Sequence, residues 1–232
     1  MPLEQLPSSS SSKTDMELMR AIHSVNPYEG FDTTGFRYDA QGWNSERQVF
    51  KDLIDQVCPQ LIIEIGSWKG ASAIFMGEYL RQKKSSCLIL CVDTWLGGLD
   101  SWQDPKNSIR YTALKLKQGY PALYYQFLFN VIDRRLTDRI IPFPQTSIIA
   151  SRWLKQNRVE ADLIYIDGSH DEEDVYLDLV HYLELVKKGG VLFGDDYGDA
   201  ATGVKAAVDR FAGERSLAVE MKEDQFWVIS KE

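Results

Sequence analysis

The sequence predicts an α/β fold, a mostly parallel sheet with helices on both faces. Three observations predict it. Short apolar runs at Leu61–Ile65, Cys87–Val92, Arg139–Phe143, Asp162–Ile166 and Val191–Phe193 alternate with longer segments of helical periodicity. One stretch, Leu61–Ser72 (LIIEIGSWKGAS), joins a strand to a helix through a glycine turn. Four polar groups, Glu64/Gly66, Asp93, Asp167/His170 and Asp195/Asp196, each close an expected strand, where sheets of this kind bind ligands.

The elements follow in order. Residues 1–15 are polar, with serine at every position from 8 to 12, and read as a disordered tail. Residues 16–44 form an N-terminal cap segment. A short helix is expected over Met16–Val25, followed by an irregular stretch whose Tyr28, Phe31, Phe36 and Tyr38 either cover a ligand or pack on the domain. The main domain spans 45–232. Ser45–Gln48 fits a capping box, and Val49, Phe50, Leu53, Ile54 and Val57 then share one helical face. Ala71–Leu80 is the helix after the glycine turn. Residues 94–119 are longer than a minimal strand-to-helix connection and read as an insertion with a helix near Ser108–Lys117. Helices are also expected over Pro121–Arg134, Ile148–Gln156, the segment from Asp171 to Lys188, and Gly203–Phe211. In the third of these, Lys187-Lys188 and Gly189-Gly190 supply basic last-turn residues and a glycine stop. Ala218–Met221 and Phe226–Ser230 read as a terminal hairpin that adds an antiparallel strand.

Composition narrows the classes of function. The chain of 232 residues has the make-up of a soluble globular protein and a formal charge of −8, which disfavours nucleic acid or an anionic membrane as a partner. It has no apolar run of about 20 residues, as a membrane-spanning helix needs, and no secretory pattern. Cys87 and Cys91 fall in one buried strand and, with Cys58, suggest neither a disulfide framework nor a zinc site. A cytoplasmic location is expected.

The glycine turn has the spacing E-x-G-x-x-x-G, not the G-x-G-x-x-G of dinucleotide sites. Gly66 would let the backbone approach a ligand and Gly70 would relieve crowding, while the helix start offers N–H donors. An ordinary two-glycine turn is the alternative. Asp93 closes the next strand, where an acid commonly accepts from ribose hydroxyls; otherwise it caps a loop. Asp167, Asp195 and Asp196 come from two strand ends. Three converging carboxylates repel unless a cation neutralises them, and oxygen ligands suit Mg²⁺, or Mn²⁺ or Ca²⁺. Alternatively Asp195 and Asp196 cap their own loop. His170 is a candidate base for a metal-bound hydroxyl, or a hydrogen-bonded structural residue. His181 reads as surface or packing, and His23 carries no special signal.

EIGSWKGAS, CVDTW and LIYIDGSHDEEDVYLDLVHYLELVKKGGVLFGDDY, in that order, resemble class I S-adenosylmethionine-dependent methyltransferases. More narrowly, they resemble the cation-dependent small-molecule O-methyltransferases, including catechol O-methyltransferase and the macrocin O-methyltransferase/cephalosporin-hydroxylase type. The resemblance covers Ser45 to the C-terminus and implies a Rossmann-like sheet of seven strands with an antiparallel last strand. It implies that Glu64, Gly66, Ser67 and Gly70 surround the methionine part of S-adenosylmethionine and that Asp93 binds its ribose. It places Trp95 near the adenine and Ser147 at an adenine-side contact. Asp167, Asp195 and Asp196 occupy the metal-ligand positions, with Asp167 beside both cofactor and acceptor. Asp196 matches the bacterial branch where the catechol enzymes have Asn, and His170 falls where those enzymes carry a catalytic Lys.

The implied activity is methyl transfer to a hydroxyl of a small molecule, such as a catechol, a sugar or a natural-product vicinal diol, assisted by Mg²⁺ or another divalent cation. The cap and the insertion would form the acceptor pocket, where Trp102, Tyr111 and Tyr120 either stack on the acceptor or pack the insertion. The same surfaces are candidates for a homo-oligomer interface. Competing readings are a metal-independent methyltransferase, an NAD-dependent oxidoreductase, disfavoured by the missing glycine fingerprint, and a non-catalytic cofactor-binding scaffold.

Overall fold

The structure is a computed structural model that describes residues 15–103, 105, 108–198 and 202–232. The expected tail therefore lies outside the described residues, apart from Asp15, which opens α1 (Asp15–Ile22). The strands are β1 (Leu61–Ile65), β2 (Leu88–Asp93), β3 (Ile140–Pro144), β4 (Ala161–Ile166), β5 (Val186–Gly194), β6 (Glu220–Lys222) and β7 (Phe226–Ser230). They form one seven-stranded sheet in the order β3-β2-β1-β4-β5-β7-β6. β1 through β5 pair in parallel, and β7 runs antiparallel to both β5 and β6. The sheet order reverses between β1 and β4, so a crevice opens at the carboxyl ends of those two strands.

Helices cover both faces. α2 (Gln48–Val57) and α3 (Ala71–Gln82) touch each other, and α8 (Glu172–Leu183) packs against both α7 (Ser147–Gln156) and α9 (Thr202–Arg215). α4 (Leu99–Gln103), α5 (Ile109–Ala113) and α6 (Leu123–Asp133) lie between β2 and β3 in the chain. Every residue of β1 is buried, Glu64 included, as a strand covered on both faces requires. Phe50 of α2 anchors the core, its ring 5.0 Å from Tyr165 and 5.8 Å from both Phe193 and Phe226. Among the described residues no helix is long and apolar enough to cross a membrane.

Two local expectations are corrected. Ser45 does not cap α2. Its hydroxyl donates to Trp43 O, and the N-cap is Arg47 without a side-chain bond. The free Val49 N–H is taken instead by Glu223 Oε1 at 2.6 Å, from the β6–β7 turn. Lys187–Gly190 do not end a helix either: α8 stops at Leu183, and these residues form a bulged start of β5, with Lys187 Nζ 2.8 Å from Asp162 Oδ1. The basic group at the α8 C-terminus is Lys231, which donates to the carbonyls of Leu183, Glu184 and Val186. His23, unmarked in the sequence, lies with Nε2 2.6 Å from Pro142 O, and Tyr28 OH donates to Ile140 O. Both bonds go to carbonyls of β3, so the cap segment protects an edge strand.

Candidate active site

The β1 end turns sharply at Gly66, whose φ is +84°. A Cβ there would collide with the Asp167 carbonyl, so only glycine lets the first and fourth strand-end loops lie side by side. At Gly70 (φ +87°) a Cβ would press on the Phe127 ring, 3.0 Å away. Between these glycines the turn is held from within. Glu64 is fully buried and accepts from Ser67 Oγ at 2.6 Å, from Ser72 Oγ at 2.5 Å and from Cys91 Sγ at 3.5 Å. Burial raises its pKa, against those hydrogen bonds. The side chain stabilises the turn rather than facing solvent.

Asp93 works on the same turn from β2. Its Oδ2 accepts from the N–H groups of Ser67 and Trp68, and its Oδ1 from the N–H of Trp95. Burial raises its pKa, while the backbone donors oppose the shift. Trp95 is buried beneath the turn. Its indole N–H donates to Trp68 O at 2.7 Å, and its ring lies 4.8 Å from Tyr124 and from Phe127. Ser147 opens α7, where its carbonyl accepts from Tyr182 OH.

A further network escaped the sequence reading. Lys69, buried in the middle of the turn, extends its ammonium to Asp39 Oδ2 at 2.8 Å. Asn130 of α6 donates to the carbonyls of Asp39 and Lys69, and Gln126 donates to Arg37 O. The cap segment is thereby strapped across the glycine turn. A cleft of about 280 Å³, lined by Ala40, Gly42, Asn44, Ser45, Glu46, Arg47 and Ala71, lies between them. Phe31 and Phe36 pack toward Tyr125 and Phe129 of α6.

Across the crevice the β4 and β5 ends bring Asp167, His170 and Asp196 together, with one ligand atom from each within 4.8 Å of the others. Tyr165 OH donates to Asp167 Oδ2 at 2.9 Å. Burial first, then the charge of Asp195, hold Asp167 well above the usual carboxylate range. Asp196 adopts φ +62°, which turns its carboxylate to His170, Nε2 to Oδ2 2.7 Å. That hydrogen bond raises the His170 pKa. Asp195 stands outside that group of three: its Oδ1 accepts from the Asp196 N–H at 2.7 Å. Burial pushes its pKa up to about 6. Asp167, His170, Asp195, Asp196 and Trp227 line a cavity of about 10 Å³, room for one water or ion. Two carboxylates and an imidazole so placed fit a divalent cation.

The insertion lies beside this cluster, since Arg110 and Asp100, themselves paired at 3.0 Å, both act electrostatically on His170. Arg110 also stacks over Trp43 of the cap segment, 4.0 Å from the ring centroid. Trp102 packs edge-on to Tyr111 and donates to Leu96 O, whereas Tyr120 is exposed.

The sheet order, the antiparallel β7 and the glycine turn at β1 define a class I S-adenosylmethionine-dependent methyltransferase. Residues 63–197, more than half of the chain, match the family model described as a methyltransferase domain, and the chain belongs to that family. Solved structures of the same fold include the O-methyltransferase NovP, 20% identical, with a TM-score of 0.57 over 79% of this chain and 78% of that one. CalS11, a calicheamicin methyltransferase, is 19% identical, with a TM-score of 0.57 over 78% of this chain and 77% of its own. An O-methyltransferase from Bacillus cereus, solved in complex with SAH, is 15% identical, with a TM-score of 0.56 over 92% and 90% of the two chains. No curated protein matches.

Proposed function

We propose that this protein transfers the methyl group of S-adenosylmethionine to a hydroxyl of a small molecule bearing a second oxygen beside it: a catechol, or a vicinal diol of a sugar or natural product. The observation that carries this reading is the convergence of Asp167, His170 and Asp196 across one crevice from the glycine turn. When bound, the sulfonium cofactor supplies an electrophilic methyl carbon, and a divalent cation would lower the pKa of an acceptor hydroxyl.

The chain's own residues supply the rest. Glu64, Gly66, Ser67 and Gly70 shape the surface for the methionine part, and the helix α3 start offers N–H donors. Asp93 sets the turn and would receive ribose hydroxyls on the lone pairs the turn leaves free. Trp95 and Ser147 support the adenine side from beneath. Asp167 and Asp196 would hold the cation. Holding both substrates in one crevice turns an encounter of two molecules into a reaction between oriented groups. His170, its Nε2 2.7 Å from Asp196 Oδ2, faces the same crevice, and that hydrogen bond raises its pKa. The insertion and the cap segment, joined through Arg110 and Trp43, wall the acceptor side.

Methyl-labelled S-adenosylmethionine, offered with a panel of catechols and vicinal diols and their single-hydroxyl counterparts, tests this. Label is expected in methyl ethers of the diols and not of the single alcohols. Transfer to nitrogen acceptors, or equal transfer to single alcohols, would contradict it.

A further inference from the structure

The sequence set three carboxylates, Asp167, Asp195 and Asp196, as candidate cation ligands. The structure regroups them. Asp195 is 4% exposed, and its Oδ1 is engaged by the Asp196 N–H. The third group facing Asp167 and Asp196 is His170. Its Nε2 sits 2.7 Å from Asp196 Oδ2. Ligand atoms around an ion with bonds of about 2.1 Å stand roughly 3–4 Å apart. The group therefore has to close from its 4.8 Å spread while the His170–Asp196 pair opens from 2.7 Å, and side chains 42% and 35% exposed have the freedom to do both.

A second observation points to a ligand at the same place. Trp227 is fully buried and lines the same cavity, yet its indole N–H has no hydrogen-bond partner. A buried donor left unpaired costs about 1–3 kcal/mol. The cavity has room for the water that would accept from it, and a cation at Asp167 and Asp196 would hold such a water.

We propose that His170 Nε2 joins Asp167 and Asp196 in a mixed nitrogen–oxygen cation site that prefers a transition-series divalent ion, such as Mn²⁺, over Mg²⁺. Imidazole suits first-row transition ions, whereas Mg²⁺ favours oxygen alone. In this site Asp195 is a positioning residue: by accepting from the Asp196 N–H it fixes the turn that aims Asp196 at His170. The inference rests on the methyl-transfer reading only for the use made of the ion.

Manganese chloride added to the full chain, followed by continuous-wave and pulsed EPR, tests the site without turnover. Bound Mn²⁺ is expected to show nitrogen modulation from a coordinated imidazole, and millimolar Mg²⁺ is expected to displace it poorly. His170→Gln should lose the nitrogen signal and weaken Mn²⁺ binding at least tenfold. His170→Asp should restore binding without the nitrogen signal, which shows that a folded loop, lacking only the imidazole, is being read. Asp195→Asn should keep the nitrogen signal. Mn²⁺ bound without nitrogen modulation, or binding insensitive to His170→Gln, would overturn the mixed set while leaving methyl transfer intact. Absence of Mn²⁺ binding in a sample that binds S-adenosylmethionine would overturn the cation site itself. Failure to bind S-adenosylmethionine would count against the methyl-transfer reading instead.

Discussion

Lys69 Nζ, at the centre of the glycine turn, lies 2.8 Å from Asp39 Oδ2, in a cap segment that precedes the turn by 30 residues. The lysine side chain is only 6% exposed, so its charge has little water to fall back on. The pair ties the segment over the crevice to the turn that forms its floor.

Removing the charge of Asp39 leaves that ammonium without its partner. Asp39→Asn is expected to cost roughly 1–3 kcal/mol, less than a fully buried pair because Asp39 itself is 39% exposed. Urea denaturation reads this loss. Calorimetry should show weaker S-adenosylmethionine binding in the same variant, since the turn loses its strap.

Glu223 caps α2 from the far end of the chain. Glu223→Ala should lose about 1–2 kcal/mol, as cap removal does, whereas Ser45→Ala should change stability by less than about 0.5 kcal/mol. Thermal melts of the two variants decide between the distant cap and a local capping box.

That contrast shows what a sequence carries and what it withholds. The strands were legible because Leu61–Ile65 or Phe226–Ser230 must be buried wherever they pair, and their apolar runs say so locally. Ser45–Gln48 misled because the free N–H of a helix start accepts any carboxylate, and the one that arrives, Glu223, is brought by the β6–β7 turn. Lys187–Gly190 misled likewise, since basic and glycine residues serve a bulged strand as well as a helix end once Lys231 occupies the α8 carbonyls. At the crevice the acids were legible from their strand-end positions. Which of them face each other was not, because that depends on the positive φ of Asp196 and on its N–H engaging Asp195.

Asp178, buried beneath the start of α7, has a pKa pushed up to about 7 by burial, partly offset by the Ser147 hydroxyl. The folded state thus holds this proton more tightly than the unfolded chain. Below about pH 4 the group is protonated in both states and costs nothing; as pH rises toward 7 stability falls. Asp178→Asn should therefore gain stability relative to the parent at pH 8, on the order of 2–4 kcal/mol, with the gain vanishing near pH 4. Melting temperatures across that range check it, and a pH-independent difference would refute it.

Gly66→Ala places a methyl group against the Asp167 backbone. It should cost at least about 2 kcal/mol and abolish cofactor binding, because the two loops must separate. Gly30→Ala, also at positive φ but with open space around it, should show only about 1 kcal/mol of backbone strain. Denaturant midpoints for the pair distinguish collision from strain.

The most direct test of the whole account is calorimetric titration of the protein with S-adenosylmethionine, beside Asp93→Ala. The account predicts a micromolar affinity at one site per chain, weakened at least tenfold in the variant, with S-adenosylhomocysteine competing for the same site. A titration without heat and without displacement by S-adenosylhomocysteine, or an affinity indifferent to Asp93, would contradict the assignment of the crevice.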